Sequence, residues 1–371
     1  MISNNIYAIY GDNPKSMVKE VLSKIKIEEE IDKDALIGIK PNLVVAKPSS
    51  SGATTSPDLV EGVIQYLLSK GYKNLVILEG SWVGDSTTRA FKVCGYEKFS
   101  RQYGIPLIDL QKDSFQEYDA QGLKINVCEK AVKVDYLINM PVLKGHCQTR
   151  MTCALKNIKG CIPDKEKRRF HTMGLHKPIA YLNLIVKSSL VVVDGIMGDL
   201  CFEEGGTPVQ MNRVIAGKDP VLIDAYVAEL MGYCLDDIPY IGIAEDIGVG
   251  SANLSKANII ELNKDNNIGK IIPSRKVDYL AKYIDEREAC SACYGSLIHA
   301  LKRLDDKGKL NSLCEKIYIG QGYKNEILEG IGVGLCTKNF SSNIPGCPPK
   351  AKDIVECIMK EIERKNRVGG N

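Results

Sequence analysis

An α/β fold, with a mostly parallel sheet flanked by helices and a smaller C-terminal α/β domain, is predicted by three features of this 371-residue sequence. Short apolar runs recur along its first part: ALIGI from Ala35, NLVIL from Asn74, VDYLINM from Val134 and LVVV from Leu190. Each is the length of a buried strand and rich in branched side chains. Segments of helical period separate them through short connections, the order that builds a parallel sheet. Towards the end the character changes, with cysteines gathered among glycine-rich turns. Two domains are therefore expected, 1–284 and 285–371.

Taken in order, Asn5–Tyr10 alternates as a strand and Pro14–Ile25 carries a helical pattern. Ala35–Ile39 ends as a strand at Lys40-Pro41-Asn42, and Ser49–Thr55 is a polar loop. Ser56 is placed as an N-cap, its hydroxyl accepting from an amide that the first helical turn leaves unpaired. Pro57 follows at the first helical position, where a missing N–H does no harm, and Gly71 closes the helix. Asn74–Leu78 is the next strand, Thr87–Cys94 and Tyr96–Tyr103 are helical, and Pro106–Asp109 and Val134–Met140 are strands. Beyond the central stretch come a helix at Ile179–Lys187, strands at Leu190–Val193 and Arg213–Ala216, and a helix at Val221–Met231. Lys264–Lys276 reads as a linker. In the tail, Cys290–Leu304 and Lys350–Arg364 are helical, with short strands at Lys316–Gly320 and Ile331–Leu335.

The net charge is only +3, and one Trp and six Phe offer little stacking surface, so nucleic acid is not an expected partner. The first residues lack a basic segment followed by an apolar run, and no stretch of about eighteen apolar residues occurs. A cytoplasmic protein without a membrane partner is expected; the oligomeric state is not legible.

The stretch from Ile138 to His176 holds three of the four histidines and many cations. It follows a buried strand, and a strand running into a polar, glycine-punctuated segment ends at a binding crevice in an open α/β sheet. His146, Lys156 and His171 are the expected catalytic residues, with imidazoles able to exchange protons near neutral pH. Lys144, Asn157 and Asp194 are expected to bind an anionic small molecule, Asp194 as a strand-end acid among Asp199, Glu203, Glu204, Asp219 and Asp224. The charged run Lys165–Phe170 reads as a solvated loop.

Thirteen cysteines are many for a reducing compartment, where clustered thiols serve metals better than disulfides. Cys94, Cys128, Cys201, Cys234 and Cys357 sit among apolar neighbours and read as small buried hydrophobes. Cys290-Ser-Ala-Cys293 turns two sulfurs toward one centre, Cys336 ends a strand in a glycine turn, and Cys347 precedes two prolines. Four thiolates suit a [4Fe–4S] cluster or tetrahedral zinc. The ten-residue gap between Cys336 and Cys347 departs from a zinc-ribbon knuckle, so the metal ligands are expected to hold iron–sulfur. Cys314 competes for one place. The glycine pairs at Gly320 and Gly330 lack a dinucleotide fingerprint or a phosphate-loop lysine, which leaves kinase and ATPase chemistry unsupported.

The ordered series KPN (40–42), TTSP (54–57), EGS (79–81), MPVLKGH (140–146), ALKNIKGCIP (154–163), RRFH (168–171), VVDGI (192–196), GGTP (205–208) and AGKDPVLIDA (216–225) resembles the domain of unknown function 362 family, from about Ile39 through Val249. The resemblance implies this fold and iron–sulfur ligands in a separate segment. A fainter similarity runs to the nickel-pincer lactate racemases, where residues placed like His146, Lys156 and His171 serve as acid/base, cofactor-contacting lysine and metal ligand. Gly80-Ser81-Trp82 stands where those enzymes have a histidine. The expected function is electron delivery from the cluster to an anionic small molecule or redox partner protein. The alternatives are a non-redox isomerase or lyase with a structural cluster, and a metal or cluster maturation protein using Cys147, Cys153 and Cys161.

Overall fold

Residues 4–263, 271, 276–313 and 315–368 are described by the computed structural model. Cys314 and the expected linker, apart from Ile271 and Lys276, lie outside the described residues. The chain divides into two units: Met1–Phe170 with Leu175–Pro273, and His171–Gly174 with Ser274–Asn371. The second unit takes in His171–Gly174 and the helix Lys276–Ala281, both ahead of residue 285, and the strand Ile284–Glu286. That strand pairs in parallel with Ile317–Ile319.

The first unit is built on an eight-stranded sheet. From edge to edge its strands are Asn258–Glu261, Asn5–Tyr10, Pro208–Gly217, Leu190–Asp199, Tyr136–Met140, Ile37–Pro41, Leu75–Glu79 and Leu107–Asp109. Pro208–Gly217 runs antiparallel to both neighbours, and every other pairing is parallel. The helix Pro57–Ser69 shows why the crossovers hold. Ser56 Oγ accepts from Asp58 N at 3.3 Å, and Pro57 opens the first turn. Leu59, Val60, Val63, Ile64 and Leu67, recurring at helical spacing, are fully buried in the core. Each contributes about 1.5–3 kcal/mol relative to exposure.

Three parallel strands end in polar residues that are almost wholly buried: Lys40 on Ile37–Pro41, Glu79 on Leu75–Glu79 and Asn139 on Tyr136–Met140. The central stretch has more regular structure than its sequence suggests. Strands Lys144–His146 and Arg150–Thr152 pair as a hairpin, followed by a helical turn at Ala154–Asn157. The run expected as a solvated loop lies in a helix, Asp164–Thr172, with Glu166 and Lys167 buried. Lys167 Nζ donates to Ser81 O at 2.7 Å and Gly80 O at 3.2 Å, partners distant in the chain that compensate its burial. A hairpin of Phe115–Ala120 and Leu123–Cys128 also carries no clear sequence signal.

The second unit has a four-stranded parallel sheet ordered Ile284–Glu286, Ile317–Ile319, Ile331–Val333 and Ser342–Ile344. Its helices Ser291–Asp306 and Ala351–Val368 pack against each other. No helix among the described residues is long and apolar enough to cross a membrane.

Candidate functional site

A carboxylate between two basic side chains forms the centre of the first unit's polar interior. Glu203 Oε1 lies 2.6 Å from Lys156 Nζ, and Oε2 lies 3.0 Å from His146 Nε2. All three side chains are buried. Glu203 comes from the loop joining the two antiparallel strands, and it reaches His146 because Gly145 lets that hairpin touch the loop. A Cβ on Gly145 would stand 2.5 Å from the Leu200 carbonyl oxygen. Lys156 lies on the turn Ala154–Asn157, whose leading amides Ala154 N and Leu155 N donate to Asp224 at 2.6 and 3.2 Å.

His146 is held as one neutral tautomer. Its Nδ1 accepts from the amides of Gln148 and Thr149, both at 3.1 Å, so Nε2 carries the proton. Nε2 is close to Glu203 but off the hydrogen-bond direction, and has no other partner among the described residues. Burial, then the Lys156 charge, pulls the imidazole pKa down to about 4 against the opposing pull of Glu203. At neutral pH His146 is an N–H donor. Glu203 is held well below the usual carboxylate range by Lys156 and His146, which outweigh its desolvation.

Lys144 sits behind this centre, fully buried, with Nζ donating to Ala53 O at 2.6 Å, Asn42 Oδ1 at 2.9 Å and Glu203 O at 2.9 Å. Burial draws its pKa down to about 7, but three acceptors need three N–H donors, which only the ammonium supplies. Asn157 joins the site to the strand ends. Its Oδ1 accepts from Asn42 Nδ2 at 2.9 Å, and its Nδ2 donates to Asn139 Oδ1 at 2.7 Å. Lys40 Nζ lies 3.0 Å from both oxygens of Glu79.

Gly160 packs onto that ion pair. A Cβ there would stand 2.1 Å from Glu79 Oε1 and 2.7 Å from Lys40 Nζ, the ends of two buried side chains held to each other. Gly160→Ala is expected to cost about 1–3 kcal/mol by overpacking, read from the urea midpoint. An unchanged midpoint would show that the pair can shift.

The structure thus brings His146, Lys156, Lys144 and Asn157 into one network. Asp194 is also buried, but its oxygens accept from Ser56 N at 2.7 Å and Ile196 N at 3.0 Å, tying a helix start to the strand. Burial pushes its pKa up to about 6. His171 belongs to the second unit, where its Nε2 lies 3.4 Å from Ser291 Oγ. The residues that sequence reasoning did not select are Glu203, Lys40, Glu79 and Asn139. Buried charges within KPN and EGS were the available signal for two of them.

In the second unit Cys290 is the N-cap of Ser291–Asp306 and Cys293 lies in its first turn. Leu335 N donates to Gly346 O at 3.1 Å, joining the turns that carry Cys336 and Cys347. Burial, with Cys290, Cys347 and Cys336 nearby, pushes the Cys293 thiol pKa up. Among the described residues, no group of three or more His, Cys, Asp or Glu is arranged to hold a metal ion. Four thiols are a donor set that either a [4Fe–4S] cluster or a tetrahedral zinc takes.

Fold and site together define a mixed-sheet α/β protein with a buried cation–carboxylate centre. The family model "Domain of unknown function (DUF362)" matches residues 37–229, more than half of the chain, and the chain belongs to that family. A "Thylakoid-associated protein sll1697" of Synechocystis sp. is 24% identical over 222 residues, 57% of this chain and 67% of that protein. The lactate racemase apoprotein of Thermoanaerobacterium thermosaccharolyticum is similar with a TM-score of 0.41 and 12% identity. That match covers 61% of this chain and 56% of the racemase chain, little more than half its length.

Proposed function

We propose that this protein is a cytoplasmic iron–sulfur protein that delivers single electrons to an anionic small molecule or a redox partner protein. What supports the reading is that Cys290 and Cys293 open one helix of the second unit, while a backbone hydrogen bond from Leu335 N to Gly346 O joins the turns that carry Cys336 and Cys347. Those four side chains would hold a [4Fe–4S] cluster, which when bound supplies one-electron transfer. In the first unit, Lys156 Nζ holds one oxygen of a carboxylate and the His146 Nε2–H lies 3.0 Å from the other, and in the resting protein that carboxylate is Glu203. A substrate anion takes the same two contacts when the Glu203 side chain turns away. Lys156 then balances its charge, and His146 orients it by a hydrogen bond in a site that excludes water.

The test is anaerobic purification followed by iron and acid-labile sulfide analysis, with about four of each expected per chain. Cys293→Ala should lose both, whereas Cys94→Ala, altering a thiol that faces Lys47 O and Thr54 Oγ1, should keep both. A chain purified with zinc, or iron retained by Cys293→Ala, sinks the reading.

A further inference from the structure

A cleft of about 630 Å³ opens in the first unit where the strand Leu190–Asp199 begins, away from the carboxylate centre at the opposite strand ends. Its lining includes Asn183, Lys187, Ser188, Ser189, Lys218 and Glu30. The volume is that of a small-ligand pocket. Its polar groups are partly committed already, and what remains uncommitted defines a ligand.

Ser188 Oγ accepts from Asn139 Nδ2 at 3.0 Å, and Ser189 Oγ accepts from Leu137 N at 3.1 Å. Neither hydroxyl donates to a protein acceptor among the described residues, so both protons can serve a ligand oxygen. Lys187 is an exposed cation, while Lys218 is shared with Glu30. One full positive charge and one partly neutralised charge suit a single anionic group better than a polyphosphate. Asn183 differs from these donors. It is 3% exposed, its Nδ2 donates to Leu155 O and Ile179 O, and its Oδ1 has no hydrogen-bond partner among the described residues. A buried acceptor without a donor is costly, and a hydroxyl group of a ligand would satisfy it.

We propose that this cleft is a second ligand site, for a small anion that also carries hydroxyl groups, and that its occupancy acts on the turn bearing Lys156. The connection is a continuous chain of hydrogen bonds. Asn183 holds Leu155 O, and Asn139 links Ser188 to Ala154 O at 2.9 Å and to Asn157 Nδ2 at 2.7 Å. Asn157 in turn binds Asn42, which accepts from Lys144. A ligand that fixes Ser188 and Asn183 therefore stiffens Ala154–Asn157 from behind. Binding here is independent of the chemistry proposed for the buried centre, and its failure would leave that reading intact.

Glycerol 3-phosphate is the probe, with inorganic phosphate and glycerol as its two halves, each titrated at millimolar concentration against the full chain. Thermal shift should rank glycerol 3-phosphate above either half. Hydrogen exchange at residues 154–157 should slow on its addition. Lys187→Ala, an exposed change that leaves folding intact, should weaken binding about tenfold by removing one charge-assisted contact, and Ser189→Ala should weaken it similarly. No protection by glycerol 3-phosphate, equal protection by phosphate alone, or full binding by Lys187→Ala overturns the site. Binding without any change at 154–157 overturns the coupling.

Discussion

Lys40→Ala is expected to lower the unfolding free energy by about 3–5 kcal/mol, the loss typical of removing one partner from a buried ion pair. Lys40 is fully buried and Glu79 is 2% exposed. Besides Lys40, Glu79 accepts only from Leu43 N at 3.0 Å and Gly80 N at 2.7 Å among the described hydrogen bonds, and neither replaces the lost counter-charge. The double variant Lys40→Met with Glu79→Gln removes both charges and should recover much of the loss, a non-additivity expected of directly paired groups. Urea unfolding of the single and double variants measures it. A single-variant loss below about 1 kcal/mol would mean that the pair behaves as a surface pair.

The stabilising effect of a neutral His146 should depend on pH in a defined window. Its pKa in the fold is about 4, below the usual 6.5, so between these values the unfolded chain binds the proton and the folded chain does not. Stability from this residue is therefore complete above about pH 6.5 and is lost as the pH falls towards 4, by about 3 kcal/mol in all. Asp194 and Asp224 oppose it. Burial raises their pKa values to about 6 and about 7, so each retains a proton in the fold and favours folding on acidification. Raw stability curves mix these effects. The difference between wild type and His146→Gln isolates the imidazole, and it should shift against wild type by about 3 kcal/mol from neutral pH to about pH 4. A difference that stays constant would show that protonated His146 is tolerated in the interior.

The strand and helix framework was legible because local chemistry specifies it. Ser56 and Pro57 start one helix, and Asp219 before Pro220 starts another in the same way, accepting from Val221 N and Leu222 N as the cap of Pro220–Leu230. Lys165–Phe170 was misread because its polarity is a property of the segment, whereas the acceptors that bury Lys167 belong to Gly80 and Ser81. The same holds for the carboxylate centre. Asp194 and Glu203 look alike as acids near strand ends, and they differ only in which donors the fold supplies. The amide of the helix cap Ser56 and that of Ile196 in its own strand meet Asp194, while Lys156 and His146 meet Glu203.

From residue order alone came the alternating strands and helices, the stretch that carries His146, Lys156 and Asn157, and the cysteines of the tail, since hydrophobic period, caps and spacing act within a few residues. Which buried polar and charged groups answer one another emerged from the folded chain. Lys40 meets Glu79, Asn42 meets Lys144 and His146 meets Glu203 across long separations. Only burial makes these partners necessary, because a charge removed from water must find its counterpart wherever the sheet has carried it.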